Sequence, residues 1–344
     1  MQETSKLPFD LGFSMPAEWE KHDATWISWP KDPLTFPAEI IDRVEQIYLA
    51  MIRALQKGER VEVLVDDEKT AERVTKMLPS KENVVLRQIK SADVWMRDYG
   101  PIFVKKPGEI AATKWIFNAW GGKYDELLRD NETGREICKA LGLKAFEANI
   151  VLEGGSIDVN GKGSCLTTKQ CLLNKNRNPQ FSADQIEKKL HDYLGITNLI
   201  WLGEGIAGDD TDGHVDDIAR FVNEKKVVCM IEEDPSDENY APLQKNFELL
   251  KAARDQDGNP LDLIPLKMPG KVETSGERLP ASYANFCVGN SAVLVPIFGH
   301  KNDDEALAKL AEVFPGREVV GINCIELVYG FGGIHCVTQQ QPSP

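Results

Sequence analysis

The sequence predicts an α/β protein assembled from repeated units, and three observations carry that prediction. Apolar residues at helical spacing are followed by a short β-prone run, a polar turn and a second β-prone run, an order that recurs roughly five times. The β-prone runs fall in hairpin-like pairs, which suits a radial or stacked architecture better than the βα alternation of a doubly wound sheet. No segment rich in Pro, Gly or Ser separates the recurrences, which favours a single domain, 1–344, over two.

Taken in order, the segment through Pro8, Gly12 and Pro16 reads as irregular. Residues 24–30 are β-prone, and Pro30 and Pro33 end the run. Between 38 and 57, Ile40, Ile41, Val44, Ile47, Met51 and Leu55 share a helical face, and Gly58 follows as a stop. A strand at 61–65, a helix at 68–77, a strand at 84–87, the motif 93–101 and the apolar run 102–104 complete a first unit, 24–104. The second, 111–173, holds a β-prone stretch at 113–117, a helix at 126–141 and a turn with Glu153. The third, 183–231, has a helix ending near Leu194 and strands at 198–202 and 227–231 around the motif 211–217. The fourth, 238–298, has a helix to about Arg254 and strands at 261–266 and 292–298 around 281–286. The last, 303–340, has a helix at 304–314, a strand at 319–325 and the closing motif 330–336.

Composition sets bounds. A net charge of −14 without basic stripes argues against a nucleic-acid partner. It is compatible with a small cationic substrate, although acidity is also ordinary for a soluble protein. No apolar run approaches the roughly 18 residues of a membrane span. Residues 1–6 lack the layout of a secretory signal. Seven cysteines without a paired-Cys motif read as free thiols, so a cytoplasmic location is expected.

The chemistry-bearing residues lie in the turns. The closing motif is glycine-rich and then β-prone, as though a strand delivered Cys336 to a defined place, yet a free cysteine is usually a small core residue. His214 and Asp216 follow an Asp-Gly turn at what reads as a strand start, where residues two apart share a face. A carboxylate beside a histidine orients the ring for acid–base work; a surface pair is the plainer alternative. Zinc is a rival, but the five histidines, at 22, 191, 214, 300 and 335, show no metal-ligand spacing. Asp98, among aromatic residues, needs a cationic partner, either Arg97 or Arg87 within the protein or a ligand. Glu153, before Gly154 and Gly155, has the same two readings. One cysteine, one histidine and three carboxylates from separate units suit a planar cation with several hydrogen-bond donors, which is the character of a guanidinium.

The ordered motifs WxSWP, WMRDYGP, FNAWGG, LEGGSI, TTKQCLLNKNRNP, TDGHVDD, ASYANF and GIHCVTQQQP run from about Trp19 to Pro342. Together they resemble the agmatine deiminase and bacterial peptidylarginine deiminase family. The resemblance implies the pentein fold, a five-bladed pseudo-symmetric α/β propeller of ββαβ units with the active site on its central axis. It implies that Cys336 is the nucleophile, His214 the acid/base, and Asp98 and Asp216 the carboxylates that clamp the guanidinium. Glu153 falls at a position supporting the histidine or the substrate, and Trp95, Trp120, Asn285 and Gly333 fall at substrate-side positions. No metal or organic cofactor is implied, and a homo-oligomer is compatible with it.

The implied reaction is hydrolysis of agmatine to N-carbamoylputrescine and ammonia through a covalent thiouronium. Peptidylarginine deimination and non-catalytic guanidine or polyamine binding are the alternatives. Agmatine is favoured because the sequence lacks the signal and added C-terminal domain expected of a secreted enzyme acting on protein arginine. It also lacks the inserted helical region of free-arginine deiminases. One departure stands out: the family commonly shows GGGN or GGGG before IHC, and here Phe331 interrupts the glycines, an expected change in the pocket wall.

Overall fold

Strand β1 (His22–Ser28) is buried along nearly its whole length, on both faces, so it belongs inside a sheet. The structure, a computed structural model, describes residues 6–78 and 80–344. In it β1 runs parallel to β2 (Arg60–Val65), and β3 (Val84–Gln88) lies parallel beyond β2. Four further sheets share one core pattern. They are β4 (Ile102–Lys106), β5 (Glu109–Ile116) and β6 (Ala145–Val151); β7 (Ile157–Val159), β8 (Ser164–Thr168) and β9 (Asn198–Leu202); β10 (Ala219–Phe221), β11 (Lys226–Ile231) and β12 (Asp262–Lys267); and, after the small hairpin of β13 (Glu273–Thr274) and β14 (Glu277–Arg278), β15 (Cys287–Val288), β16 (Ala292–Ile297) and β17 (Glu318–Asn323). In each, the first two strands are antiparallel and the second and third are parallel. The first sheet obtains its antiparallel member from the far end of the chain, where β18 (Gln339–Pro342) pairs with β1.

Parallel neighbours need a crossover, and an amphipathic helix supplies each one. These are Ile41–Leu55, Asp130–Leu141, Ala183–Leu194, Tyr240–Ala252 and Asp303–Val313, with Glu68–Met77 joining β2 to β3. Local sequence fixes their ends. Ser182 and Gln185 form a capping box ahead of Ala183–Leu194, and Gly195 ends that helix in the left-handed conformation. Among the described residues no helix is long and apolar enough to cross a membrane.

The sheets divide the strands differently from the sequence reading. The run 102–104, assigned by sequence to the first unit, pairs with β5 in the second sheet. A repeated order of helix, strand, turn and strand can be cut at several points, and only pairing reveals where a unit begins. Pairing also shows a regular placement of the candidate residues. The turns carrying Asp98, Glu153, His214 with Asp216, Asn285 and Cys336 each lie two to five residues before the first strand of a sheet: β4, β7, β10, β15 and β18.

Candidate active site

Each of these turns is short and specific. Asp98 lies in the helical turn Met96–Tyr99, Glu153 just before the 3-10 turn Gly154–Ser156, and His214 just before the 3-10 turn Val215–Asp217. His214 and Asp216 are therefore not two apart on a strand as the sequence reading had them. Cys336 likewise sits in a turn ahead of β18, not on a strand. Gly155 shows how closely these turns meet. A Cβ there would lie 2.6 Å from His214 Nδ1, 3.0 Å from Asp98 Oδ1 and 3.1 Å from Asp216 Oδ2.

Hydrogen bonds fix several of the groups. Trp120 Nε1 donates to Asp98 Oδ2 at 2.9 Å, and the Gly155 N–H donates to Asp98 Oδ1 at 3.0 Å. Trp120 is held with φ 53°, in the left-handed region that a bulky side chain adopts only under constraint. Asn285 Nδ2 donates to Cys336 Sγ at 3.1 Å and to Asp217 Oδ1 at 3.0 Å. Asn285 Oδ1 accepts the backbone N–H groups of His335 at 2.8 Å and Cys336 at 3.3 Å. Gly333 fits beneath it, since a Cβ would stand 2.5 Å from Asn285 Oδ1. Cys336 Sγ lies 3.9 Å from Asp216 Oδ2.

A cavity of about 290 Å³ reaches Cys336 and Asp98. Trp95, Trp120, Tyr124 and Phe331 contribute aromatic walls, and Asp32, Glu126, Asp210 and Glu277 contribute carboxylates. Among the described residues no Lys, Arg or His lines it. Beside it four buried polar atoms have no hydrogen-bond partner among the described residues: both ring nitrogens of His214, Glu153 Oε2 and Asp216 Oδ1, with His214 Nδ1 3.8 Å from Asp98 Oδ1. Unmet buried polar atoms are costly, and the two carboxylate oxygens among them are acceptors that a donor-rich cation would satisfy.

Comparison with known proteins gives this arrangement a family. The model of the Porphyromonas-type peptidyl-arginine deiminase family matches residues 14–342. The chain belongs to that family. Agmatine deiminase of Medicago truncatula is 37% identical over 100% of both chains. That of Stutzerimonas stutzeri is 36% identical, covering 100% of this chain and 99% of its own. A solved structure of the Enterococcus faecalis agmatine deiminase superposes with a TM-score of 0.93 at 34% identity, covering 98% of each chain. The mixed-sheet α/β fold of this family member is thereby shared with agmatine deiminases.

Electrostatics within the family member follow from burial and neighbours. Burial pushes the Asp98 carboxyl up to about 6, with Asp216 and Glu153 adding and His214 opposing. Burial works against charge on His214, but Asp98, Cys171 and Glu153 outweigh it and hold the imidazole well above its ordinary value. Burial, then Asp216, Asp217 and Asp98, drive the Cys336 thiol well above the usual range. Asp217 is raised too, by burial and by Asp216.

The cationic partners differ from those expected. Arg87 pairs with Glu62, and Arg97 donates to Gln339 Oε1 and Gln340 Oε1, both at 2.7 Å, so neither serves Asp98. Asp216 is met by His335 instead, whose Nδ1 lies 2.7 Å from Asp216 Oδ2 while its Nε2 lies 3.2 Å from Glu18 Oε2. Burial opposes charge on Asp216, but this hydrogen bond together with the charges of His335, His214 and Arg220 outweighs it and holds the carboxyl below the usual range. Glu18 is bound in turn by Arg220, which also donates to Asp158 Oδ2 at 2.5 Å.

Sequence reasoning missed His335 in this role, along with Glu18, Arg177 and Cys171. His335 was visible beside Cys336, but Glu18 lies in a segment without periodicity, and nothing local links it to residue 335. Glu153, Cys171 and His214 place ligand atoms within 4.8 Å of one another. Arg177 Nε donates to Glu153 Oε1 at 2.6 Å, so a metal cation there would face a buried guanidinium.

Proposed function

We propose that this chain hydrolyses agmatine, with Cys336 as nucleophile and His214 as acid and base. The observation that carries the reading is a single cavity that reaches a thiol and Asp98 while its charged lining is wholly acidic. Agmatine is a dication, with a guanidinium for the inner carboxylates and an ammonium for the acidic wall. Asp98 and Asp216 Oδ1 take the guanidinium N–H groups, and Glu153 supports His214.

The Cys336 sulfur attacks the guanidinium carbon, His214 protonates the departing nitrogen, and ammonia leaves a thiouronium on sulfur. Water, deprotonated by His214, adds to the same carbon, and the C–S bond breaks to return the thiolate and release N-carbamoylputrescine. Burial and three carboxyl groups oppose ionisation of Cys336 in the free protein, so the bound guanidinium supplies the compensating charge. Alkylation of Cys336 by iodoacetamide should therefore quicken when a slowly reacting guanidine is present.

The five sheets, one site segment before each, support reading the chain as one catalytic domain arranged as a five-bladed α/β propeller. The seven cysteines are unpaired and buried, which supports a reducing, cytoplasmic setting. Measuring ureido product and ammonia from agmatine, arginine and an arginine-containing peptide tests the function. We expect agmatine to be preferred, and Cys336→Ser to lower kcat at least ~10³-fold. Preference for the peptide would favour peptidylarginine deimination, and no turnover by the reduced protein would leave a binding role.

A further inference from the structure

We propose that Phe331 sets the size limit of the substrate, closing the cavity against guanidines that carry a substituent on the carbon bearing the distal amine. The inference rests on the agmatine reading above. It begins with the glycines on either side of Phe331. A Cβ at Gly330 would stand 2.8 Å from Thr35 Cγ2 and 2.9 Å from Phe36 Cε1. One at Gly332 would strike the Trp95 ring, and one at Gly333 would stand 2.5 Å from Asn285 Oδ1. These three positions have no room for a side chain. Phe331 alone carries one, and it lines the cavity together with Trp95, Trp120 and Leu34.

The backbone there does not favour it. Phe331 has φ 69°, in the left-handed region that glycine enters freely and a bulky residue enters at a cost. Its N–H is committed to Val328 O at 2.9 Å, and tight packing on both sides holds the loop in place. Local conformation alone would put glycine at 331, so the phenyl ring is present against the backbone preference, as strained residues at functional sites often are. The ring is partly exposed whereas Cys336 is buried, so it fills cavity volume toward the opening, where the distal end of the substrate would lie. Agmatine is an unbranched chain between its two cations. Argininamide has the same chain with a neutral carboxamide on the last carbon, and that branch needs the space the ring occupies. Charge acts separately: the acidic wall disfavours the carboxylate of arginine whatever stands at 331.

Steady-state kinetics of the parent, Phe331→Gly and Phe331→Leu with agmatine, argininamide and arginine separate the two effects. We expect the ratio of kcat/KM for agmatine over argininamide to fall at least roughly tenfold in Phe331→Gly. Phe331→Leu, which retains most of the bulk, should keep the ratio, and arginine should remain rejected by all three. A parent active on agmatine with an unchanged ratio in Phe331→Gly would overturn the size-limit role alone. So would an equal loss on every substrate, which marks packing rather than selection. A parent inert toward every guanidine would overturn the agmatine reading, and this inference with it.

Discussion

Asp98 illustrates what burial costs a carboxyl that, on the agmatine reading, binds the guanidinium. Its ordinary value of 3.8 rises to about 6 through burial. A carboxyl raised in the folded state prefers to be neutral there. Its contribution to stability is full below about pH 4 and is lost as pH climbs through about 6. A difference of about two units corresponds to about 3 kcal/mol of penalty at pH 8. Asp98→Asn removes that dependence, though it sacrifices an acceptor for Trp120 or Gly155. Between pH 4 and pH 8 the stability of Asp98→Asn should therefore gain on the parent by about 3 kcal/mol, whatever the offset at low pH, while activity falls at least ~100-fold. Urea titrations at the two pH values check it; parallel stability curves would mean that His214 fully compensates the charge. Asp98, Glu153, His214, Asp216 and Cys336 could be picked out as candidates because reactive residue types interrupted apolar runs. The partners that orient them could not, since His335 meets Glu18 across most of the chain's length.

At the scale of elements, long helices and apolar strands were readable because each carries several periods of its pattern. The strand 198–202 and the helix 68–77 coincide with their sequence-derived limits. Turns of three or four residues carry no period, so the site segments were placed on strands or left undefined. β18 was harder still. It consists of Gln339, Gln340, Gln341 and Pro342, yet all four are buried. Burial is tolerated because the amides are occupied: Gln341 Oε1 accepts from Trp26 Nε1 at 2.9 Å, and Gln339 and Gln340 serve Arg97. Arg97 already has one nitrogen, Nη2, without a partner. Gln340→Leu would leave Arg97 Nη1 with Gln339 as its one acceptor and strip one buried N–H of its partner, and should cost about 2 kcal/mol of stability in denaturant unfolding. A loss within ±0.5 kcal/mol would show that water reaches Arg97.

For the whole molecule, the charge of −14 and the acidic cavity act in the same direction. The long-range field attracts a dication toward the cavity, and salt screens that attraction over a Debye length of about 10 Å at 0.1 M. On the agmatine reading, kcat/KM should fall severalfold between ~10 mM and ~500 mM salt, with kcat little changed. Salt-independent kcat/KM would mean that only short-range contacts bind the substrate. Composition alone left this open, because an acidic chain is unremarkable until its carboxylates are found around one opening.

Before each of five sheets stands one turn that carries part of the candidate site, so on the agmatine reading no sheet holds a working fraction of it. Proteins open locally with free energies below that of global unfolding. A site divided in this way loses its geometry whenever its most labile part opens, even while the other four remain folded. Activity then reports the weakest sheet rather than the average one. Thermal inactivation can precede the cooperative melt for that reason, and strengthening the most labile unit would prolong function more than strengthening any other.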